Sequence, residues 1–273
     1  MTETGRGRLA SMFATARSEN RAVLLPYLTA GIPNPRDSVE LFVAMSDAGA
    51  DGFEVGIPYA DPLMDGPIIM EAGEQALASG VTVDVALDIA SQVASRTGKP
   101  VVMMTYVNPV LRMGVGTFFD KVNNAGACGV ILADLPVDEA APFLAEAVQR
   151  GMGLALFAAP TTDAARLEAV VAADPAFVYA IAEVGVTGER EKASANVEGL
   201  ASRIRDRSDV PIVFGVGIST PDHAAKAAKV GDGVIVGTAI VRRVLEADTT
   251  RAATAELSKA VKELAAAVRR PST

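Results

Sequence analysis

The chain has 273 residues, half of them hydrophobic, and a formal net charge of −8 at pH 7. This charge argues against a nucleic-acid partner, because a polyanion needs a basic surface and the densest Lys/Arg cluster is the short run Arg203–Arg207. The single cysteine, Cys128, excludes an internal disulfide and a metal site built from cysteines. No apolar run reaches the length of about 20 residues that a membrane span needs, and the N-terminal residues lack a signal-peptide core, so we expect a cytoplasmic protein without a membrane partner.

Short apolar, β-branched runs recur along the chain, and each is followed by a segment with apolar residues at helical spacing. After an N-terminal helix, Arg6–Ser18, these runs predict eight strands: Ala22–Thr29, Gly52–Ile57, Pro100–Tyr106, Gly129–Ala133, Gly153–Ala158, Phe177–Ile181, Pro211–Gly215 and Gly233–Val236. The segments after the strands predict helices at Asp37–Ala48, Asp84–Ser95, Gly116–Ala125, Asp138–Gln149, Asp163–Ala172, Val197–Arg207, Pro221–Lys229 and Thr250–Arg269.

Eight strand–helix units in about 250 residues are typical of a (β/α)8 barrel. We therefore expect an α/β protein with one TIM-barrel domain over residues 1–273 and an extra N-terminal helix that closes the floor of the barrel. A doubly wound open sheet is the alternative, but that fold would be expected to carry a glycine-rich dinucleotide-binding motif after the first strand. The sequence there, Thr29-Ala-Gly-Ile-Pro33, is not one.

The second strand and its following loop carry three acids in an apolar, β-forming context. Glu54 lies inside the strand, where burial of an unpaired carboxylate raises its pKa and keeps it protonated. Asp61 and Asp65 follow on a loop rich in Pro and Gly. A protonated acid beside a more solvated carboxylate separates two groups into different acid/base roles, and this indicates an enzyme.

Polar side chains also end other predicted strands, where active sites of such barrels lie. Asp134 is more simply explained as a brace for a neighbouring loop or as a helix cap, and Asn108-Pro as turn chemistry. Tyr106 and Tyr179 fit a substrate pocket and the hydrophobic core about equally well.

Glycine-rich turns after the last three strands predict a phosphate site. Gly215-Val-Gly-Ile-Ser-Thr-Pro221 ends the seventh strand, Gly237-Thr238-Ala239 ends the eighth at the start of another helix, and Gly185-Val-Thr-Gly188 follows the sixth. Backbone N–H groups and helix N-termini at these turns often bind phosphate in barrels. Each turn alone could be an ordinary cap, but three adjacent strand ends together favour a phosphate cradle.

The scarcity of histidine and the absence of lysine at the predicted strand ends limit the reaction types that this protein could catalyse. His223 is the only histidine and falls inside a helix, and no lysine ends a strand, which disfavours a multi-histidine zinc aldolase and a Schiff-base enzyme. The remaining chemistry is proton transfer by carboxyl groups on a small phosphorylated molecule. An apolar part of that molecule would fit against Tyr27, Met104 and Phe157.

The chain resembles the tryptophan synthase alpha subunit family over essentially its whole length. The most specific matching segment is Phe53-Glu-Val-Gly-Ile-Pro-Tyr-Ala-Asp-Pro-Leu-Met-Asp-Gly-Pro67, and five shorter segments match: 26–31, 104–109, 133–136, 185–188 and 215–219. The resemblance implies a (β/α)8 barrel that cleaves indole-3-glycerol phosphate to indole and glyceraldehyde 3-phosphate without a metal or organic cofactor. It also implies a beta-subunit partner in an alpha2beta2 tetramer.

The resemblance assigns roles position by position. Glu54 matches the general acid/base, Asp65 the carboxylate that interacts with the indole N–H, and Tyr179 a tyrosine near the glycerol. Thr187 matches a loop residue that closes against Asp65, and Asp61 a loop residue tied to the beta subunit. The implied phosphate ligands are Gly188, Gly217, Ile218, Gly237 and Thr238, and the implied indole pocket is Tyr27, Met104, Tyr106, Ile131, Phe157 and Ile235.

Departures from the family pattern lie in the loop after the sixth strand, at Glu183 and in the charged run 188–192. They leave open a stand-alone lyase that releases free indole for a specialised pathway. Two readings from other classes are a sugar-phosphate isomerase and a catalytically weak subunit that only activates a beta partner. The apolar lining disfavours the isomerase, and the presence of both acids disfavours the inactive subunit.

Overall fold

The computed structural model describes residues 3–181 and 190–270 of the chain. Eight parallel strands in this part close into a barrel in sequence order, and β8 returns to pair with β1. The strands are β1 Val23–Thr29, β2 Phe53–Gly56, β3 Val101–Thr105, β4 Gly129–Leu132, β5 Gly153–Ala158, β6 Phe177–Ala180, β7 Ile212–Phe214 and β8 Gly233–Val236. All eight predicted strands are confirmed; β5 and β8 match the prediction at both ends, and no end of the other strands differs by more than one residue.

Helices surround the barrel in the described ranges. They are α1 Gly5–Ser18, α2 Pro35–Asp47, α3 Pro67–Ala78, α4 Val83–Thr97, α5 Val107–Met113, α6 Val115–Asn124, α7 Ala141–Gln149, α8 Ala164–Ala172, α9 Arg190–Arg205, α10 Pro221–Val230, α11 Thr238–Leu245 and α12 Thr250–Ala267. A short 3-10 turn, Val137–Glu139, precedes α7. No single helix in the described part is long and apolar enough to cross a membrane; α3 and α4 reach that length and composition only as a pair bent by 105°.

The sequence prediction lacked two of these helices. It treated Pro67 as part of the loop after β2, but a proline fits the first turn of a helix and α3 begins there. Asn108-Pro109 was interpreted as a turn, whereas Pro109 lies in the first turn of α5, where its missing N–H costs no hydrogen bond.

The floor of the barrel, at the N-terminal ends of the strands, is closed by α1. Leu9 of this helix is fully buried, and its side chain lies against the backbone of Gly129 and Gly153 at the starts of β4 and β5. Arg6 N–H donates to the carbonyl of Gly151 at 2.8 Å. The predicted extra helix at the floor is therefore confirmed. The opposite end of the barrel, at the C-terminal ends of the strands, is the end at which an active site can form.

Two partly buried acids hold the starts of strands at this floor. Asp51 accepts hydrogen bonds from the Leu24 N–H at 2.8 Å and from Arg21 at 2.7 Å. Asp232 accepts one from the Ile212 N–H at 2.9 Å and another from Arg205. Satisfied pairs of this kind fix the alignment of β1 with β2 and of β7 with β8.

Candidate active site

A cavity of about 290 Å³ opens at the C-terminal ends of the strands. Its walls come from strands on all sides of the barrel and from the loops that follow β2, β7 and β8. The lining residues are Tyr27, Glu54, Met64, Asp65, Gly66, Ile69, Met104, Ile131, Ala133, Phe157, Tyr179, Ile181, Gly215, Val216, Gly217, Ile235, Gly237 and Thr238. Most of these side chains are apolar, so the two carboxyl groups stand out as the reactive ones.

Glu54 points into the barrel because of the alternation of side chains along β2. Its neighbour Phe53 faces outward and packs edge-on against Phe42 of α2, with ring centroids 5.3 Å apart. Glu54 is 3% exposed, and its Oε2 has no hydrogen-bond partner among the described residues. Burial, with a smaller contribution from the charge of Asp65, raises the pKa of Glu54 to about 8, so this acid is mainly protonated at neutral pH.

This raised pKa predicts a pH-dependent effect of Glu54 on stability. The unfolded chain ionises Glu54 near its ordinary pKa of about 4.3, whereas the folded chain holds the proton until about pH 8. Stability is therefore lost as pH rises through this window. We expect Glu54→Gln to match the wild type near pH 4 and to exceed it by up to about 5 kcal/mol at pH 8 in urea unfolding.

A matched control is Glu40→Gln, at an exposed carboxylate bound to Arg96 at 2.6 Å. Because Arg96 lowers the pKa of Glu40, this variant should gain no stability at high pH. A Glu54→Gln advantage that stays constant from pH 4 to pH 8 would contradict the predicted ionisation of Glu54 within this range.

Asp65 lies on the loop between β2 and α3 and is held by Tyr106 at the end of β3. The Tyr106 hydroxyl donates to Asp65 Oδ2 at 2.9 Å and accepts from the Met64 N–H at 3.2 Å. Burial raises the pKa of Asp65, and the hydrogen bond from Tyr106 opposes that rise. Asp65 thus sits in a more polar setting than Glu54, as the sequence predicted.

The loop that carries Asp65 is also tied to α5. The Tyr59 ring stacks on Tyr106, with centroids 5.2 Å apart, and its hydroxyl accepts a hydrogen bond from Asn108 Nδ2 at 2.8 Å. Asp134 accepts from the Val107 N–H at 2.7 Å and so caps the first turn of α5. The sequence interpretation of Asp134 as a brace for a neighbouring loop is correct.

Two tyrosines, Tyr27 on β1 and Tyr179 on β6, are buried in the barrel, and each hydroxyl lies against a glycine at the end of the next strand. A methyl group on Gly56 would be 2.2 Å from the Tyr27 hydroxyl, and one on Gly215 would be 2.1 Å from the Tyr179 hydroxyl. The Tyr179 ring also packs on Phe157 at 4.9 Å. The Tyr179 hydroxyl has no hydrogen-bond partner within the described ranges, so it is available to a bound molecule.

The glycine turns after β7 and β8 form the opposite wall of the cavity. Gly217 has a φ of 76°, a left-handed conformation that favours glycine. Thr220 caps α10 by accepting from the His223 N–H at 3.2 Å, and α11 begins at Thr238. The first N–H groups of a helix lack acceptors within it, so the start of α11 offers donors to an anion at the cavity wall.

The structure places most of the predicted site residues on this cavity, with differences. Ile218 and Asp61 do not line it, and Tyr106 lies behind Asp65 rather than on the wall. Thr187 and Gly188 lie outside the described residues. The sequence interpretation missed Met64, Gly66, Ile69, Ala133, Ile181, Gly215 and Val216 as wall residues. Met64, Gly66, Ala133, Gly215 and Val216 belong to motifs already noted, although no pocket role was predicted for them. Ile69 lies outside those motifs, and its place on the wall depends on how the loop after β2 leads into α3.

His223 lies on α10, as predicted, and its Nδ1 is 3.3 Å from the Ser219 hydroxyl. Over the described residues, His, Cys, Asp and Glu side chains form no group of three that could hold a metal ion. The titratable groups on the cavity wall are the carboxyl groups of Glu54 and Asp65 and the hydroxyls of Tyr27 and Tyr179.

The closed barrel and the carboxyl groups at its mouth define the class, a (β/α)8-barrel enzyme with a carboxyl-based site. The chain belongs to the tryptophan synthase alpha chain family, whose sequence pattern matches residues 13–269. It is 44% identical to the tryptophan synthase alpha chain of Salinispora tropica over 264 residues, which is 97% of this chain and 98% of that protein. With the Streptomyces coelicolor protein it shares 40% identity over 261 residues, 93% of this chain and 96% of the other.

Solved structures agree with this assignment. A crystal structure of tryptophan synthase from M. tuberculosis superposes with a TM-score of 0.87 at 38% identity and covers 97% of this chain and 99% of that chain. The tryptophan synthase subunit alpha of Legionella pneumophila superposes with a TM-score of 0.84 at 30% identity and covers 96% of this chain and 98% of that chain. The resemblance found in the sequence motifs is thereby confirmed.

Proposed function

We propose that this protein cleaves indole-3-glycerol phosphate to indole and glyceraldehyde 3-phosphate, as the alpha subunit of tryptophan synthase in L-tryptophan biosynthesis. The observation that carries this proposal is the buried Glu54, whose pKa of about 8 keeps it protonated at neutral pH beside Asp65 in an apolar cavity. Such a pair provides an acid and a carboxylate in different protonation states at the same pH. No metal or organic cofactor takes part in the proposed reaction.

Glu54 acts first as an acid and then as a base. Its carboxyl proton goes to C3 of the indole, which gives a ring with positive charge on nitrogen. The Glu54 carboxylate then takes the proton of the glycerol hydroxyl next to the ring, the C–C bond breaks, and its electron pair returns to the ring as the aldehyde forms. Glu54 ends protonated, ready for the next turnover, so both proton transfers balance on one group.

The remaining residues bind and orient the substrate. The Asp65 carboxylate accepts the indole N–H and stabilises the positive charge on the ring. The Tyr179 hydroxyl faces the glycerol chain, and the phosphate rests on the turns that contain Gly217 and Gly237 and on the start of α11 at Thr238. The apolar wall that receives the indole consists of Tyr27, Met104, Ile131, Phe157 and Ile235.

An exposed apolar surface beside the cavity supports a beta-subunit partner. Leu63 and Met64 in the Asp65 loop are 83% and 59% exposed, and Leu111 on the neighbouring α5 is 57% exposed. Large apolar side chains at such exposure are typical of a protein interface. We propose an alpha2beta2 tetramer in the cytoplasm, to which this chain contributes a single barrel domain, with Asp61 and Thr187 in loops that respond to the partner.

The experiment that tests this function measures indole release from indole-3-glycerol phosphate by the purified chain, alone and with a tryptophan synthase beta subunit. Slow release that rises strongly with the beta subunit supports the proposal. Rapid release that the beta subunit leaves unchanged would instead identify a stand-alone lyase. No indole in either case would refute the reaction.

Gly215→Ala tests the position of Tyr179. The added methyl group would overlap the Tyr179 hydroxyl and ring, which must then shift against Phe157, whose ring packs on Tyr179 at 4.9 Å. We expect a loss of about 100-fold in indole release from a shift of the ring by about 1 Å. Gly199→Ala on α9 is the control, since its methyl group meets open space and the rate should stay at the wild-type level. Equal rates in both variants would show that Tyr179 needs no such placement.

A further inference from the structure

A second, much smaller cavity lies next to the main cavity and shares Asp65 with it as a wall residue. Its volume of about 10 Å³ matches the space of one water molecule. Its polar walls are Tyr27, Thr29, Tyr59, Asp65 and Tyr106. Four wall residues are shared with the main cavity, namely Tyr27, Asp65, Ile69 and Met104, so these side chains form the partition between the two spaces.

The polar walls contain a donor and an acceptor that the described protein leaves unmatched. The hydroxyls of Tyr27 and Thr29 are 3.2 Å apart, so one donates to the other and the second proton remains available. Asp65 Oδ2 accepts from Tyr106, whereas Oδ1 has no donor among the described residues. A water molecule between a hydroxyl donor and a carboxylate acceptor would satisfy both groups.

The groups that face Asp65 come from several elements. The titratable ones are Glu54 of β2 and the hydroxyls of Tyr27 on β1, Tyr59 in the loop after β2, Tyr106 after β3 and Tyr179 on β6. From α3 it meets Ile69 and Gly73 across the small cavity, and neither carries a charge. In the described ranges no Lys, Arg or His forms an ion pair with Asp65. Its ionised form therefore depends on hydrogen bonds rather than on a nearby cation.

We propose that the small cavity binds one water molecule, which joins the Tyr27–Thr29 hydroxyl pair to Asp65 and makes Tyr27 a positioning residue for that carboxylate. Tyr27 then has two functions. Its ring packs against the indole in the main cavity, and its hydroxyl supports the Asp65 charge through the small cavity. The catalytic meaning of this second function rests on the proposed reaction, but the water site itself does not.

The test measures the pKa of Asp65 directly, by ¹³C NMR titration of carboxyl-labelled protein, with Asp65→Asn used to assign the signal. Hydrogen bonds to an ionised carboxylate lower its pKa, so removal of either hydroxyl should raise it. We expect Tyr27→Phe and Thr29→Val each to raise the pKa of Asp65 by about one unit, and the double variant to add little, because both disrupt the same chain.

The control is Ile131→Val, which alters the main cavity but not the small one and should leave the pKa of Asp65 unchanged. A high-resolution crystal structure of the wild type should also show the water within hydrogen-bond distance of Asp65 and of Tyr27 or Thr29. A dry cavity in that structure, or an Asp65 pKa that neither hydroxyl variant changes, would overturn the inference. Failure of the proposed function would appear separately, as absence of indole release by the wild type.

Discussion

Replacement of Glu54 by Gln is expected to lower indole release by about 10,000-fold or more. The amide keeps the size and hydrogen-bonding shape of the protonated acid, but it can neither give a proton to the indole ring nor take one from the glycerol hydroxyl. General acid or base catalysis is worth about 100- to 10,000-fold, and this one group serves in both directions. Steady-state indole production at pH 7 measures the effect.

Binding of a non-cleavable indole-alkyl phosphate is the control for this variant. Its affinity should change little, since the glutamine keeps the size and polarity of the protonated acid and the other wall residues are unchanged. A Glu54→Gln enzyme as active as the wild type would show that the proton comes from another group. Loss of binding together with activity would mean that the substitution damages the pocket rather than the chemistry.

Asp65→Asn is expected to lower turnover by about 100- to 1,000-fold, the usual cost of one preorganised electrostatic contact to a charge that develops in the transition state. The amide retains the size of the side chain and removes its negative charge. The effect should fall on kcat more than on KM, because the indole nitrogen is charged only after C3 receives its proton.

The pH profile gives a second, independent result for the same variant. Wild-type activity should fall above about pH 8, where Glu54 loses its proton. Because the charge of Asp65 helps to raise the pKa of Glu54, its removal should move this decline to lower pH. If Asp65→Asn turned over as fast as the wild type, Asp65 would not stabilise the charge on the indole ring. If its activity declined at the same pH as that of the wild type, Asp65 would not influence the pKa of Glu54.

The architecture could be predicted from local sequence because each strand is a short apolar run and most helices have apolar residues at helical spacing. The prediction failed at the starts of α3 and α5, where Pro67 was grouped with a Pro/Gly-rich loop and Asn108-Pro109 was interpreted as a turn. Both prolines lie in first turns, where helices accept them, and the adjacent glycine and asparagine concealed this.

The sequence predicted which residues form the site, but it did not predict the contacts between them. Glu54 was identifiable because an acid in an apolar strand is costly, and its raised pKa depends on burial that the strand pattern already indicated. The bond between Tyr106 and Asp65 joins residues 41 positions apart, and its existence depends on how the loop after β2 folds. The contact between the Tyr179 hydroxyl and Gly215 likewise depends on the register of β6 with β7. This register cannot be derived from the sequence of either strand alone.

The two acids have unequal mechanical support. Glu54 belongs to a strand hydrogen-bonded on both sides, so its position changes only if the barrel itself deforms. Asp65 belongs to a loop that is held by side-chain contacts of Tyr106 and Tyr59 rather than by strand pairing, and the nearby side chains of Leu63 and Met64 are exposed to solvent. A partner that binds Leu63 and Met64 can therefore shift Asp65 without moving Glu54. A small displacement of the Asp65 carboxylate can then change the reaction rate while the strands of the barrel keep their positions.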